Sequence, residues 1–381
     1  AAFVHLAERY GKLPLSTSLA PAIKAATDGF PAHRVYTTLM GFRHKAIQRF
    51  PYTASVFLPN GTIPKEGEII KQADLARTLT LLAEQGLDGF YKGEVAEKLV
   101  AGSEQQGGIW TLDDLANYHV VERKPIISEY NDYKIVSAPP PSSGGVALAA
   151  MFNMLEAYDW QQFNNVEQTH LISEVMRRAY FDRARYLGDS DFVDVPVARL
   201  TSQRHADQWR QSINLAQASS SSDLGEAIQL QEGTHTTHFS VLDQEGNRVS
   251  ATLSINLPFG SAFAAPGTGV LFNNEMDDFS SKPGSPNAYG LVGNEANAIA
   301  PNKRPLSSMS PTFVEHEDRL AIIGTPGGSR IITMVLLGTL EFLKGNAPQQ
   351  WVARPRFHHQ YLPDVIQHEP NTFTQEELAE L

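Results

Sequence analysis

Thr236 has more chemistry open to it than any other residue of this chain, because of what precedes and follows it. Thr236-Thr237-His238 begins a run that alternates like a strand, after a polar stretch over 219–235 with low propensity for regular structure. A threonine hydroxyl is a poor nucleophile without a base. If the His235–Thr236 peptide bond is cut, Thr236 gains a free α-amine. Its pKa of about 7.7–8.0 suits it to accept the hydroxyl proton near neutral pH. One residue then supplies both nucleophile and base. A β-branched residue that merely starts a strand looks the same, and composition alone favours that reading.

Other stretches carry polar groups in suggestive places. Along 248–256, Ser250, Thr252, Ser254 and Asn256 share one face of a strand, and Val249, Ala251, Leu253 and Ile255 share the other. The polar face is either the wall of a site or a solvated surface. The loop 324–329, Gly-Thr-Pro-Gly-Gly-Ser, joins a strand to a helix. Glycine N–H groups and a helix N-terminus favour negative charge there, as an oxyanion hole requires, though an ordinary tight turn has the same composition. It is neither a Walker loop nor a dinucleotide fingerprint. The similar loop over 141–145 reads as a plain turn. Residues 273–279 set Glu275, Asp277 and Asp278 between apolar flanks, either as a solvated face or as partners for a substrate ammonium. His358 and His359 are adjacent and point apart on any regular element, and no His-Glu-x-x-His spacing occurs, so no metal is expected. A Gly-x-Ser-x-Gly elbow is absent.

Composition narrows the classes further. The 381 residues suggest two or three domains, and 42% hydrophobic with 19% charged residues supports a sizeable core rather than disorder. With 42 acidic against 31 basic side chains the formal charge is −11, which argues against nucleic-acid binding. The lack of cysteine removes thiol catalysis, zinc–thiolate sites and disulfide scaffolds. The most apolar stretch, 320–343, is broken by Gly324, Pro326, Gly327, Gly328 and Arg330, so no transmembrane helix is expected. The chain does not begin with Met, and both ends lie inside helical patterns, as in a fragment or a processed product.

The elements that must position these residues follow from periodicity and breakers. The first 220 residues read mostly helical, with helices over 73–85 and 94–101 and a capping box from Thr111 to Asp114 before a helix to 118. A strand over 133–137, a helix over 146–158 and a long helix with a basic, aromatic face over 166–187 follow. Residues 219–235 read as an exposed, flexible linker. A hairpin then pairs 237–243 with 248–256, and a second strand pair joins 311–315 to 319–323. A helix over 329–343 comes next. No internal repeat is present.

Taken together, these stretches resemble the gamma-glutamyltranspeptidase family of N-terminal nucleophile hydrolases. The matching segments are Thr236-Thr237-His238-Phe239-Ser240-Val241, residues 271–280 (LFNNEMDDFS), residues 301–311 (PNKRPLSSMSP), Pro326-Gly327-Gly328-Ser329, and residues 355–360 (PRFHHQ). The region upstream, with 140–145, looks like the C-terminal portion of the family's large subunit, so the resemblance covers essentially the whole chain. It implies an α+β fold, the four-layer αββα sandwich, incomplete at both ends. It implies a precursor that cuts itself before Thr236, with 1–235 in the large subunit and 236–381 in the small one.

By the same resemblance Thr236 attacks the γ-amide carbonyl of glutathione or a related γ-glutamyl compound. Gly327 and Gly328 donate to the oxyanion, and Ser307 and Ser308 hold the α-carboxylate. Asn256, Glu275 and Asp278 hold the α-ammonium. Ser254 stands where the family usually has a Thr that supports the nucleophile. Residues 283–290, with Tyr289, resemble the family's lid loop, which related cephalosporin acylases tend to lack. That favours a glutathione-type substrate. The acyl group passes to water or to an acceptor amino acid or peptide. The resemblance implies no cofactor and a periplasmic or secreted location, with a signal peptide ahead of Ala1. It places the family's carboxylate-binding arginine ahead of Ala1 and its last strands beyond Leu381. The rival expectations are an inactive fragment and an amidohydrolase of the same superfamily acting on another acyl group.

Overall fold

Capping and helix-breaking residues divide the first 122 positions into short helices. The structure, a computed structural model, describes residues 1–225, 236–280 and 294–381. Ala73–Gln85 is helical, as its periodicity predicts. Thr111 caps Leu112–Ala116: its hydroxyl accepts from the Asp114 N–H at 3.2 Å, and the Asp114 carboxylate accepts from the Thr111 N–H at 2.7 Å. Asp closes the box that Glu or Gln usually closes. The helix expected over 94–101 instead spans Gly93–Gln105. Gly102 does not stop it. A β-carbon at 102 would lie 3.0 Å from the Ala265 Cβ, so this glycine serves close packing.

Residues 1–122 pack with 257–274 as one unit, and 123–256 pack with 275–381 as a second. In the first unit the Thr78 hydroxyl donates to the Thr268 carbonyl at 2.7 Å and the Ala264 N–H donates to Thr53 Oγ1 at 2.9 Å. Val95, Leu99, Phe263 and Ala265 bury against one another. A division between 235 and 236 falls inside the second unit. Among the described residues no helix is long and apolar enough to cross a membrane.

The second unit contains β1 (Ile126–Tyr130), β2 (Tyr133–Ser137), α1 (Gly144–Leu155), α2 (Asn165–Tyr186), β3 (Thr236–Leu242), β4 (Arg248–Ser254), β5 (Thr312–His316), β6 (Arg319–Ile323) and α3 (Arg330–Leu343). An antiparallel sheet runs β1-β2-β5-β6. Ile135, Val314 and Ala321 sit opposite one another across it and are all buried. This row meets Met151 and Phe152 of α1, Val175 of α2, and Ile332 and Leu336 of α3 in one core. Period-two burial on the sheet and period-3.6 burial on the helices thus close on each other. β3 and β4 form a separate hairpin, tied to the sheet by the Ser240 hydroxyl donating to the Ile322 carbonyl at 3.2 Å and by an Arg248–Glu315 ion pair.

Within the stretch expected as an exposed linker, Ser220, Ser222, Asp223 and Gly225 are exposed, but Ser219 and Ser221 are anchored. Ser219 donates to the Glu174 carboxylate through its N–H at 3.0 Å and its hydroxyl at 2.6 Å. Ser221 is fully buried, its N–H on Asp364 at 2.8 Å and its hydroxyl on the Tyr361 carbonyl at 2.7 Å. Glu174, on α2, is also paired with Arg177 and Arg178. Serines have low propensity for regular structure, yet the donors of Ser219 and Ser221 pair with the carboxylates of Glu174 and Asp364, and that ties these two residues down. Residues 226–235 of the expected linker lie outside the described residues.

Near this network sit two buried imidazoles. Burial pushes His358 and His359 down to about 4, and Arg177 adds to the shift at His359. In the unfolded chain an imidazole titrates near about 6.5. Between these values the unfolded state binds more protons, so stability falls as pH drops from about 6.5 to about 4. Thermal melts should therefore be nearly level above neutrality and drop steeply below it. His359→Gln should drop less steeply, and parallel profiles for the two proteins would refute the assignment.

Candidate active site

Register places the candidate nucleophile. Thr236 is the first residue of β3 and pairs across the hairpin with Ser254, the last residue of β4. The Thr236 hydroxyl oxygen is buried, and no described residue hydrogen-bonds to it. Ser254 Oγ accepts from the Asn256 N–H at 2.9 Å. Asn256 has φ 67°, a left-handed conformation that Asn tolerates better than most residues. The chain leaves β4 there, and the Asn256 side-chain amide donates to Asp278 Oδ1 at 3.1 Å. Asn297 holds the Glu275–Asp278 turn by donating to the Asp278 carbonyl at 2.7 Å. The polar face of β4 is the covered one: Ser250, Thr252 and Ser254 are half-buried, whereas Val249 is 45% and Leu253 43% exposed. The polar face is therefore covered rather than solvated, and Ser254 and Asn256 at its end line a recess.

Ser307 and Ser308 are placed by the loop over 141–145, which is more than the plain turn expected. The N–H and hydroxyl of Ser143 both donate to the Ser307 carbonyl at 2.7 Å, and the Ser307 N–H returns to the Pro141 carbonyl at 3.0 Å. Arg183 of α2 is buried behind this pair. Its Nε donates to Ser143 Oγ at 2.8 Å and its Nη2 to Ser308 Oγ at 3.0 Å. Burial pushes the guanidinium down to about 10, against the opposing pull of Tyr180 and Asp278, so it stays protonated at neutral pH.

The glycine loop follows β6. Gly327 has φ 142° and Gly328 φ 58°, both on the side of the map that side chains avoid. Tyr180, one turn before Arg183 on α2, donates its hydroxyl to the Ser329 carbonyl. The ring of His238 lies against the start of the loop at Gly324, and its burial lowers its pKa. A β-carbon at Gly324 would lie 2.1 Å from the His238 Cε1. Gly324→Ala should therefore cost about 1–3 kcal/mol through overpacking. His238→Ala should remove most of that penalty in the double variant. Thermal melts of the four proteins check this, and additive losses would refute it.

Thr236, Ser254, Asn256, Glu275, Asp278, Ser307, Ser308 and Gly328 line one recess, open to solvent, together with Met309 and Ile331. Gly327 precedes Gly328 in the loop and is not among the lining residues. Tyr289 lies outside the described residues. Sequence reasoning missed Arg183, Ser143 and Tyr180. The signal for two of them was the basic, aromatic face of α2, whose Arg177, Arg178, Tyr180 and Arg183 are all buried.

Comparison with known proteins decides the family. The family model for gamma-glutamyltranspeptidase matches residues 1–381. The chain belongs to the gamma-glutamyltranspeptidase family. It is 44% identical over 362 residues to the glutathione hydrolase proenzyme of Pseudomonas sp. (strain A14), covering 94% of this chain and 63% of that protein. It is 41% identical over 372 residues to the glutathione hydrolase proenzyme of Escherichia coli (strain K12), covering 96% of this chain and 64% of that one. The chain thus spans a little under two thirds of the length of these relatives. The crystal structure of cephalosporin acylase from Bacillus halodurans superposes with a TM-score of 0.82 at 27% identity, over 100% of this chain and 69% of that one. The fold is the N-terminal nucleophile hydrolase fold of this family and its acylase relatives, as the resemblance implied.

Proposed function

We propose that this chain carries a γ-glutamyl-transfer site whose nucleophile is Thr236, freed by self-cleavage of the His235–Thr236 bond. Residues 1–235 and 236–381 are then the two subunits of one precursor. The observation that carries the reading is the buried hydroxyl of Thr236 in one recess with Asp278, Glu275, Ser307 and Ser308. A zwitterionic amino-acid head group needs acids for its ammonium and donors for its carboxylate, and this recess offers both.

In the proposed reaction the Thr236 hydroxyl attacks the γ-carbonyl carbon, and its proton passes to the α-amine of the same residue. The N–H groups of Gly327 and Gly328 hold the oxyanion. Collapse breaks the C–N bond, and the leaving amine takes the proton back from the α-ammonium. Water or an acceptor amine then attacks the Thr236 ester and releases the γ-glutamyl group. Ser254 Oγ supports the nucleophile with a hydroxyl but lacks the methyl that would fix its rotamer.

A second reading, acylase action on an acyl chain without an ammonium, draws on the likeness to cephalosporin acylase. The acids of the recess disfavour it. The test measures release of a chromogenic amine from its γ-glutamyl amide and from the matched amide that lacks the α-amino group. Preference for the γ-glutamyl amide supports the proposal, and equal or reversed preference supports the acylase reading.

A further inference from the structure

The clue is a buried cation that reaches the recess through the hydroxyl of Ser308. Arg183 lies on α2, 3% exposed, and is not among the residues that line the recess. Its fork is divided between two hydroxyls, Ser143 through Nε and Ser308 through Nη2. Ser143 in turn fixes the Ser307 carbonyl, so both serines of the pair take their position from one guanidinium. The charge of Asp278 is also felt at Arg183. Arg183 stacks near Tyr180, with Cζ 5.9 Å from the ring centroid, and Tyr180 holds Ser329 beside the glycine loop.

We propose that Arg183 is a positioning residue that selects for an α-carboxylate on the bound acyl group, acting through Ser308 and, by way of Ser143, through Ser307. The inference rests on the reading of the recess as a γ-glutamyl site. The physical reason is directional. A guanidinium can only donate, so the Ser308 oxygen that accepts from it is polarised as a donor on its other side. A hydroxyl so polarised suits an anion in the recess and disfavours an amine or a hydrocarbon. The positive charge adds a field of the same sign. Substrate contact is left to Ser307 and Ser308.

The effect should appear as selectivity rather than as general loss. The probes are L-glutamate and 4-aminobutyrate, which is glutamate without its α-carboxylate, titrated calorimetrically into the protein. The γ-glutamyl anilide and the 4-aminobutyryl anilide supply KM and kcat. Arg183→Met should weaken L-glutamate roughly 10–100-fold and raise KM for the γ-glutamyl anilide by a similar factor, with kcat changed little. 4-Aminobutyrate and its anilide should be nearly unaffected. Arg183→Lys keeps the charge without the fork and should recover part of the loss. In a Ser308→Ala background Arg183→Met should add less than it costs alone, because one of its two paths runs through that hydroxyl.

Equal losses for the two ligands, or full additivity with Ser308→Ala, would show that Arg183 only holds the fold and would overturn the proposal. Unchanged L-glutamate binding in a folded Arg183→Met protein would overturn it too, while leaving the γ-glutamyl reading in place. If Arg183→Met does not fold, the Arg183→Lys and Ser308→Ala cycle gives the same decision. Wild-type protein that neither binds L-glutamate nor cleaves the γ-glutamyl anilide would overturn both the site reading and this inference with it.

Discussion

Thr236→Ala is expected to yield a chain that stays joined between 235 and 236 and releases no amine from a γ-glutamyl amide. Two losses combine. Without the hydroxyl there is no attack on the preceding carbonyl, so no α-amine is freed. Without that amine or hydroxyl there is neither base nor nucleophile for a substrate. Removing a nucleophile of this kind costs on the order of 10⁴–10⁶-fold in turnover. Thr236→Ser keeps the hydroxyl but loses the methyl that restrains χ1, so it should cut and turn over more slowly. Intact mass, N-terminal sequencing and the amide assay read all three proteins. Cut protein from Thr236→Ala, or turnover from an uncut wild-type chain, would remove Thr236 from its role.

Asp278→Ala should raise KM for γ-glutamyl amides roughly 10–150-fold, as a charged hydrogen bond worth about 1.5–3 kcal/mol is lost, with a smaller change in kcat. The local geometry says why this acid matters. Asp278 receives the Asn256 amide at 3.1 Å, and Asn256 lies two residues beyond the end of β4. Its charge also opposes the burial effect on Arg183. Removing it therefore takes away an anion for the ammonium and leaves the neighbouring guanidinium less balanced. Both changes make the recess less favourable for a cationic group. Unchanged KM in a folded, correctly cut variant would return Asp278 to the reading of a solvated acidic face.

Much of the chain's local structure was legible because its signals are local. The helix Ala73–Gln85, the Thr111–Asp114 box, the strand Tyr133–Ser137 and the strand Arg319–Ile323 follow from apolar spacing and capping residues within a few positions. Where a distant contact outweighs the local signal, the reading shifts. Gly102 looks like a helix stop and is instead a packing point for Ala265. Ser219 and Ser221 look like part of a solvent-exposed linker and are instead held by Glu174 and Asp364, carboxylates far away in sequence.

By itself the sequence determined the chemistry available: a strand-leading threonine, a glycine loop before a helix, paired serines and an acidic turn, in the order that marks the family. Residue types and their spacing carry that information because nucleophile, donor and acid are properties of side chains. Only the tertiary structure decided which of those segments meet. It took antiparallel register to set Thr236 beside Ser254, and a left-handed Asn256 to bring its amide to Asp278. Arg183 shows the limit most plainly. Along the chain it is one of several basic residues on a long helix, and nothing local separates it from Arg177 or Arg178. Packing of α2 beneath the 141–145 loop puts its guanidinium on Ser143 and Ser308, separations of 40 and 125 residues that no periodicity encodes.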